Sequence, residues 1–355
     1  MTSDEFRIVP SETPVKEIWS RLGYFENEHN AREFLKKKNK NLTEDELVDT
    51  AKRLAFTTRT AREYYESAAQ VSLLTQPLLL FYGMTALSKV LFITTHLKKS
   101  PSRGHGLETP NQKDFEEDFS KLSTRIQRDG TFPQFHCCYS KEKLYNIRFT
   151  LKELLSIVCE IKVEYETVYQ EKSQAIKIQK DKHGFHLVDT ELEKYGDLVK
   201  ELPNYFSQIK IVQKVGVGLH FWNPVNLPKT RALSGEEYLI LPLKKHENNL
   251  SLPEMSVHFL IMYLLGMVSR YYPKEWGEII EGKTSGEIYI IQKFLETTTR
   301  KFPNLILNRL WNRDFVFVSP QLEREKRLTN DELERVYDYI ERKMSAEWSM
   351  RLSGY

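Results

Sequence analysis

Apolar residues recur at steps of three and four through much of the first 170 positions, the spacing of one face of an α-helix. The clearest run is Leu47, Ala51, Leu54, Thr58, Ala61, Tyr65, Ala68 and Ser72. Thr43 and Glu46 stand ahead of it at capping-box spacing, so a long amphipathic helix is predicted there. Thr13-Pro14 predicts a short helix through Trp19 and Leu22, with proline at the first helical position. A second apolar helix runs through Leu80, Tyr82, Leu87 and Leu91, with a break or kink expected near Pro77. Thr150 and Glu153 cap a third long helix, marked by Leu151, Leu154, Leu155, Val158, Ile161, Tyr165 and Val168. Between the second and third helices, residues 98–135 carry proline and glycine punctuation around a charged helical piece at 113–127. They read as an excursion over the surface.

Near residue 174 the period changes to two. Residues 175–179 and 185–188 alternate around a Lys-Asp-Lys-His-Gly turn and predict a β-hairpin. Residues 205–212, 218–222 and 237–243 are further strand candidates. Helices then resume. Ser251 and Glu254 have capping-box spacing before an apolar helix at 252–272, and Thr284 and Glu287 before a helix at 286–300. Thr329 and Glu332 precede a last helix through Leu333, Val336, Tyr337, Ile340, Met344 and Trp348. The expected fold is mainly α, of the α+β kind. A helical half (1–173) and a second helical half (249–355) pack together around a small antiparallel β insert (174–248).

Composition narrows the function classes. Hydrophobic residues make up 40% of the 355 and charged residues 28%, enough apolar surface for a core and too much for a disordered chain. A net charge of +3 excludes a histone-like polybasic protein. Three cysteines, two of them adjacent, make no disulfide framework and fit a reducing compartment. The apolar stretch 78–92 is interrupted by Lys89, and 257–268 falls short of the roughly 20 residues that a membrane helix needs. Residues 1–14 are polar, with no signal-type apolar run. A cytoplasmic protein with no membrane partner is expected.

The candidate chemistry is sparse. Gly277-Glu-Ile-Ile-Glu-Gly282-Lys283-Thr284 satisfies the Walker A pattern in letters. A helix precedes it where a strand is needed, and Glu278 and Glu281 would face phosphate oxygens with carboxylates, so a turn between helices is the better reading. Gly216-Val-Gly218 lacks the third glycine of a dinucleotide loop. The pair His183 and His186, and the run His136-Cys137-Cys138, each lack the further ligands of a metal centre. No metal and no cofactor is expected. Basic clusters at 36–40, 98–103 and 244–246 could contact phosphates or simply be solvated. On the helix 252–272, His258 and Arg270 are twelve residues apart, about 120° beyond three turns, and do not share a face. Tyr82 and Lys89, seven apart, do share one. Cations among so many apolar neighbours need partners or solvent, so the expectation is either a buried structural polar cluster or a polar pocket between the two apolar helices.

The same segments carry a resemblance. Glu63-Tyr64-Tyr65-Glu66-Ser67-Ala68, Gln76-Pro77-Leu78-Leu79-Leu80-Phe81-Tyr82-Gly83 and Leu87-Ser88-Lys89 resemble the N-terminal half of bacterial YaaC-like proteins. So do Gly104-His105-Gly106-Leu107 and Gly130-Thr131-Phe132. The C-terminal part of the likeness runs from His258 through Gly266 and Arg270-Tyr271-Tyr272-Pro273 to Trp276, and the whole covers roughly residues 15–300. These motifs are structural rather than catalytic. The paired helices look similar to HEPN-type domains, which implies a HEPN-like helical core and a setting in bacterial stress or antiphage defence. The HEPN ribonuclease signature, an arginine followed by histidine after four to six residues, is absent: Arg128 and His136 have seven between them.

Three readings follow. The first is a non-catalytic binding or interaction protein, with RNA or DNA as a candidate partner, in which Tyr82, Lys89, Arg103 and Arg270 are the ligand-binding residues, with His105 beside them, and the cations hold a phosphate or a carboxylate. The second is a metal-independent ribonuclease or nucleotide-processing enzyme, with His105, His258 and Arg270 as catalytic candidates. The third is a scaffold whose long helices bind a protein partner or a second copy of the chain.

Overall fold

The computed structural model describes residues 6–38, 41–116, 118–181, 184–187, 211–215, 218–221, 228–245, 248–282 and 286–318. His183, His246, Thr284 and the helix expected after Thr329 lie outside the described residues.

The helices are α1 (Pro14–Leu22), α2 (Glu28–Lys38), α3 (Glu44–Ala68), α4 (Gln76–Thr95), α5 (Thr131–His136), α6 (Leu151–Leu155), α7 (Lys162–Tyr169), α8 (Glu254–Tyr271), α9 (Pro273–Ile280) and α10 (Glu287–Trp311). The protein is mainly helical, with small sheets, as its patterning implied. Thr43 caps α3 in a full capping box with Glu46, and Leu47, Ala51, Leu54, Thr58, Ala61, Tyr65 and Ala68 form its buried face. The helix ends at Ala68, so Ser72 lies beyond it. Pro77 opens α4 in its first turn instead of kinking it, because a first-turn proline has no intrahelical N–H bond to lose.

Helices α4 and α8 form the centre. Every residue of α8 from Met255 to Val268 is buried, so it shows no one-sided stripe. Phe259 on α8 meets Phe81 of α4 at 5.7 Å and Phe132 and Phe135 of α5 at 5.5 and 5.6 Å, tying three helices through one ring. Helix α3 lies along α4, and α10 packs against α1, α4 and α7. Among the described residues α4 is the one helix long and apolar enough to cross a bilayer, and 72% of its apolar window is buried inside the protein.

Two helical expectations are corrected. The described residues of 113–127 form no α-helix; they make two short 3-10 turns and the strand β2 (Ser123–Arg125), which pairs with β3 (Arg148–Thr150). The third long helix is split into α6 and α7. Thr150 and Glu153 make their capping box, but the Ser156 carbonyl then accepts from Gln174 N at 2.8 Å and Ser173 Oγ at 2.7 Å. A carbonyl bonded to the incoming strand is lost to the helix, and Val158 turns extended.

Between α7 and α8 stand β4 (Ala175–Asp181), β5 (Gly184–Leu187), β6 (Ile211–Val215), β7 (Gly218–Phe221), β8 (Lys229–Arg231) and β9 (Glu237–Ile240), in the antiparallel order β6-β7-β5-β4-β9-β8. The expected 237–243 strand is two, β9 and β10 (Leu243–Lys245), the latter paired with β11 (Asn248–Leu250). The strand expected at 205–212 is described only from Ile211 onward. Finally, β1 (Phe6–Pro10) runs parallel to β12 (Asp314–Val318).

Candidate functional site

The α4–α8 contact places Tyr82 and Lys89 on one helix near Arg270 in the last turn of the other. Arg270 Nη1 donates to the Tyr82 hydroxyl at 2.7 Å, and its guanidinium lies 5.0 Å from the Tyr271 ring. The Tyr82 ring stacks on Tyr64 of α3, with centroids 5.6 Å apart. Gly83 permits this approach, since a Cβ there would sit 2.6 Å from the Tyr65 ring.

His105 reaches the same place from a loop. Thr131 N and Phe132 N donate to the Gly104 and His105 carbonyls at 2.8 and 2.9 Å, so the two quoted glycine motifs, distant in sequence, form one platform. Gly130, at φ +139°, packs against Gly106, at φ +76°; a Cβ on Gly130 would lie 2.2 Å from the Gly106 Cα. The platform holds the His105 ring 5.3 Å from Phe81 and 5.7 Å from Tyr263. Burial lowers the His105 pKa, and the positive charges of Lys89 and Arg270 lower it further. Burial also lowers the Lys89 ammonium. Neither Lys89 nor Arg270 makes an ion pair among the described residues. The result is a cationic cluster walled by tyrosines, with Lys89 and His105 half-buried, Arg270 exposed, and a neutral imidazole at neutral pH. Arg103 is exposed, and no hydrogen bond or ion pair among the described residues ties it to the cluster.

His258 lies elsewhere. The 120° offset turns it toward α10, where it is fully buried. Its Nδ1 is 2.8 Å from Thr298 Oγ1 and its ring stacks on Phe294 at 5.4 Å. Burial pushes its pKa down to about 4. Nearby, Lys301 Nζ lies 2.9 Å from Glu160 and 3.0 Å from Glu254, with a further bond to the Arg231 carbonyl. Burial favours the neutral acids, but Lys301 pulls Glu160 below the usual carboxylate range, while burial prevails at Glu254 and raises it. The structure therefore brings His105 and Arg270 together and separates His258 from both. Glu254, in the expected Ser251 capping box, pairs with Lys301 instead, and α8 starts after Pro253 without a side-chain cap.

Cys159, Glu160 and Glu254 offer ligand atoms within 4.8 Å of one another. The Lys301 ammonium bridges both carboxylates and already supplies a positive charge there, and burial holds the Cys159 thiol well above its ordinary pKa, so the set fits a lysine better than a metal ion. His136 is a core residue, its Nδ1 2.8 Å from Ser256 Oγ. Gly277 lies inside α9, so the first half of the Walker A match, through Ile280, is helix where a phosphate loop needs open backbone. The basic clusters are partly neutralised: Lys98 pairs with Glu46 at 3.0 Å and Lys245 with Glu153.

The sequence singled out Tyr82, Lys89, His105 and Arg270 as candidates, which the structure places near one another, and pointed to no site role for Tyr64, Lys301 and Glu160. Lys301 was visible in principle, as a lysine in the stripe Phe294, Thr298, Lys301 and Phe302.

Residues 23–310 match the family model described as YaaC-like Protein, and the chain belongs to that family. No curated protein and no solved structure matches the chain.

Proposed function

We propose that this member of the YaaC-like family binds single-stranded nucleic acid at the α4–α8 cluster. Arg270 and Lys89 hold phosphate, and the Tyr64–Tyr82 wall takes a base. One observation carries the reading: two cations converge on a neutral histidine with no carboxylate pairing them, beside a stacked tyrosine pair. Uncompensated positive charge next to aromatic faces suits a phosphate-bearing strand better than a peptide or a neutral metabolite. A setting in bacterial stress or antiphage defence belongs to the proposal and rests on the HEPN-type resemblance alone, whereas the cytoplasmic setting, also part of it, rests on the cysteine usage.

The test is a titration of labelled single-stranded RNA and DNA at several salt concentrations, followed by anisotropy and by strand length. Binding should weaken as salt rises, and the double variant Lys89→Ala/Arg270→Ala should lose about tenfold or more in affinity. Equal binding by that variant would overturn the site. A second reading, metal-independent strand cleavage, is favoured by the neutral His105 beside two cations, where a base and charge stabilisers for a phosphodiester would stand. Shortened strands that disappear with His105→Ala would select it over simple binding.

A further inference from the structure

From Phe81 to Thr94 every residue of α4 is buried except Tyr82 and Lys89. His96, which ends the helix, is seven residues beyond Lys89 and is again partly exposed, so the three positions form one open line about 21 Å long. The chain then doubles back beside it. Lys99 N donates to the His96 carbonyl at 2.8 Å, and the loop returns to His105, whose ring lies against Phe81 near the other end of α4. Two contacts fix which flank of α3 lies alongside. Tyr64 stacks on Tyr82 at one end, and Arg53 Nη1 donates to the Lys99 carbonyl at 3.4 Å at the other. Between them that flank carries Thr60 and Thr57, and no acid.

Four cations border this line without an ion pair among the described residues: Arg270 and Lys89 toward α8, Arg103 and Lys99 on the returning loop. The acids at the His96 end are taken, since Glu46 pairs with Lys98 at 3.0 Å and Asp49 with Arg53 at 3.0 Å. Burial lowers the His96 pKa and the charge of Lys99 lowers it further, so that ammonium stands close to the end of the line. Unpaired cations distributed over such a length suit a run of phosphates better than a single one.

We propose that a nucleic-acid strand bound at the α4–α8 cluster continues along α4 to His96, its successive phosphates taken by Arg270, Lys89, Arg103 and Lys99. The extended footprint rests on the strand binding proposed above, and it makes the ligand a run of nucleotides instead of a mononucleotide or a strand end. At a rise of about 3.4 Å per stacked nucleotide the line takes at most about six nucleotides.

The experiment is anisotropy of labelled oligouridylates and oligothymidylates, as dinucleotides, hexamers and decamers, titrated with the full chain at several salt concentrations. Affinity should rise about tenfold or more from dinucleotide to hexamer and change little from hexamer to decamer. Lys99→Gln/Arg103→Gln alters two exposed positions, and should weaken hexamer binding about tenfold and lower its salt slope by about 1.4. Lys36→Gln/Lys37→Gln removes the same charge from exposed positions of α2, outside this line, and should change neither. A dinucleotide that binds as tightly as the hexamer, hexamer binding and salt slope unchanged in Lys99→Gln/Arg103→Gln, or an equal loss in the α2 variant would each overturn the extended line. Weakened binding by Lys89→Ala/Arg270→Ala beside any of these results would keep the cluster itself as the site. No binding at any length would overturn the strand-binding reading, and the extended line with it.

Discussion

Two clusters of cationic and imidazole groups lie within this protein, and they are built on opposite terms. Around Lys301 each charge meets an opposite charge at close range. Two carboxylates flank one ammonium, a backbone carbonyl takes a further bond, and His258 is held neutral between Thr298 and Phe294. Around His105 the charges do not balance. Lys89 and Arg270 face the imidazole with no acid among the groups that shift it, and the cluster is only half withdrawn from water. Residue type therefore says little about role. A buried cation supplied with carboxylates joins elements of the fold, whereas a half-buried cation left without them is disposed to bind an anion from solution.

The sharpest way to break the comparison is Lys301→Met. It strands Glu160 and Glu254 in an apolar site, and a loss of about 3–5 kcal/mol is expected by urea denaturation. A loss below about 1 kcal/mol would mean that the two carboxylates do not depend on the ammonium. Gly130→Ala comes next. It forces a side chain at φ +139° into the Gly106 backbone, and a cost of about 3 kcal/mol is expected, together with weakened strand binding because the His105 platform moves.

Acidification gives a smaller, signed effect. The folded-state pKa of His258, about 4, lies below the ordinary value of 6.5. Between those values the unfolded chain takes up a proton that the folded chain refuses. The contribution of His258 is therefore complete above pH 6.5 and falls as the pH drops toward 4, about 2 kcal/mol between pH 7 and pH 5. His258→Gln should flatten the urea midpoint against pH. His136, also held to about 4 by burial, keeps part of the slope in that variant. An unchanged slope would show that His258 titrates normally in the folded protein.

The smallest stability effect belongs to the second cluster. Lys89→Met removes a half-buried ammonium that makes no ion pair among the described residues, so stability should stay within about 0.5 kcal/mol while strand affinity falls. Destabilisation on the scale of Lys301→Met would place Lys89 among the structural cations and remove the contrast.

Local chemistry made much of this protein legible in its sequence. Capping boxes at Thr43 and Thr150 formed because both partners lie within one turn of chain. The change of period near residue 174 marked the strand-rich segment, and the common face of Tyr82 and Lys89 followed from helix geometry alone. Tertiary contacts decided the rest. The same capping pattern at Ser251 and Glu254 did not form, because Lys301 from a distant helix claims the carboxylate. The helix after Thr150 was cut at Ser156 by a strand that takes its carbonyl. Tyr64 and His105 joined Tyr82, Lys89 and Arg270 only through the packing of α3 on α4 and the meeting of two glycine turns. Spacing along the chain determined which side chains share a face of one element. Which faces meet, and whether a charge there finds an opposite charge, depended on residues far apart in sequence, and that is where the structural cluster and the candidate site part ways.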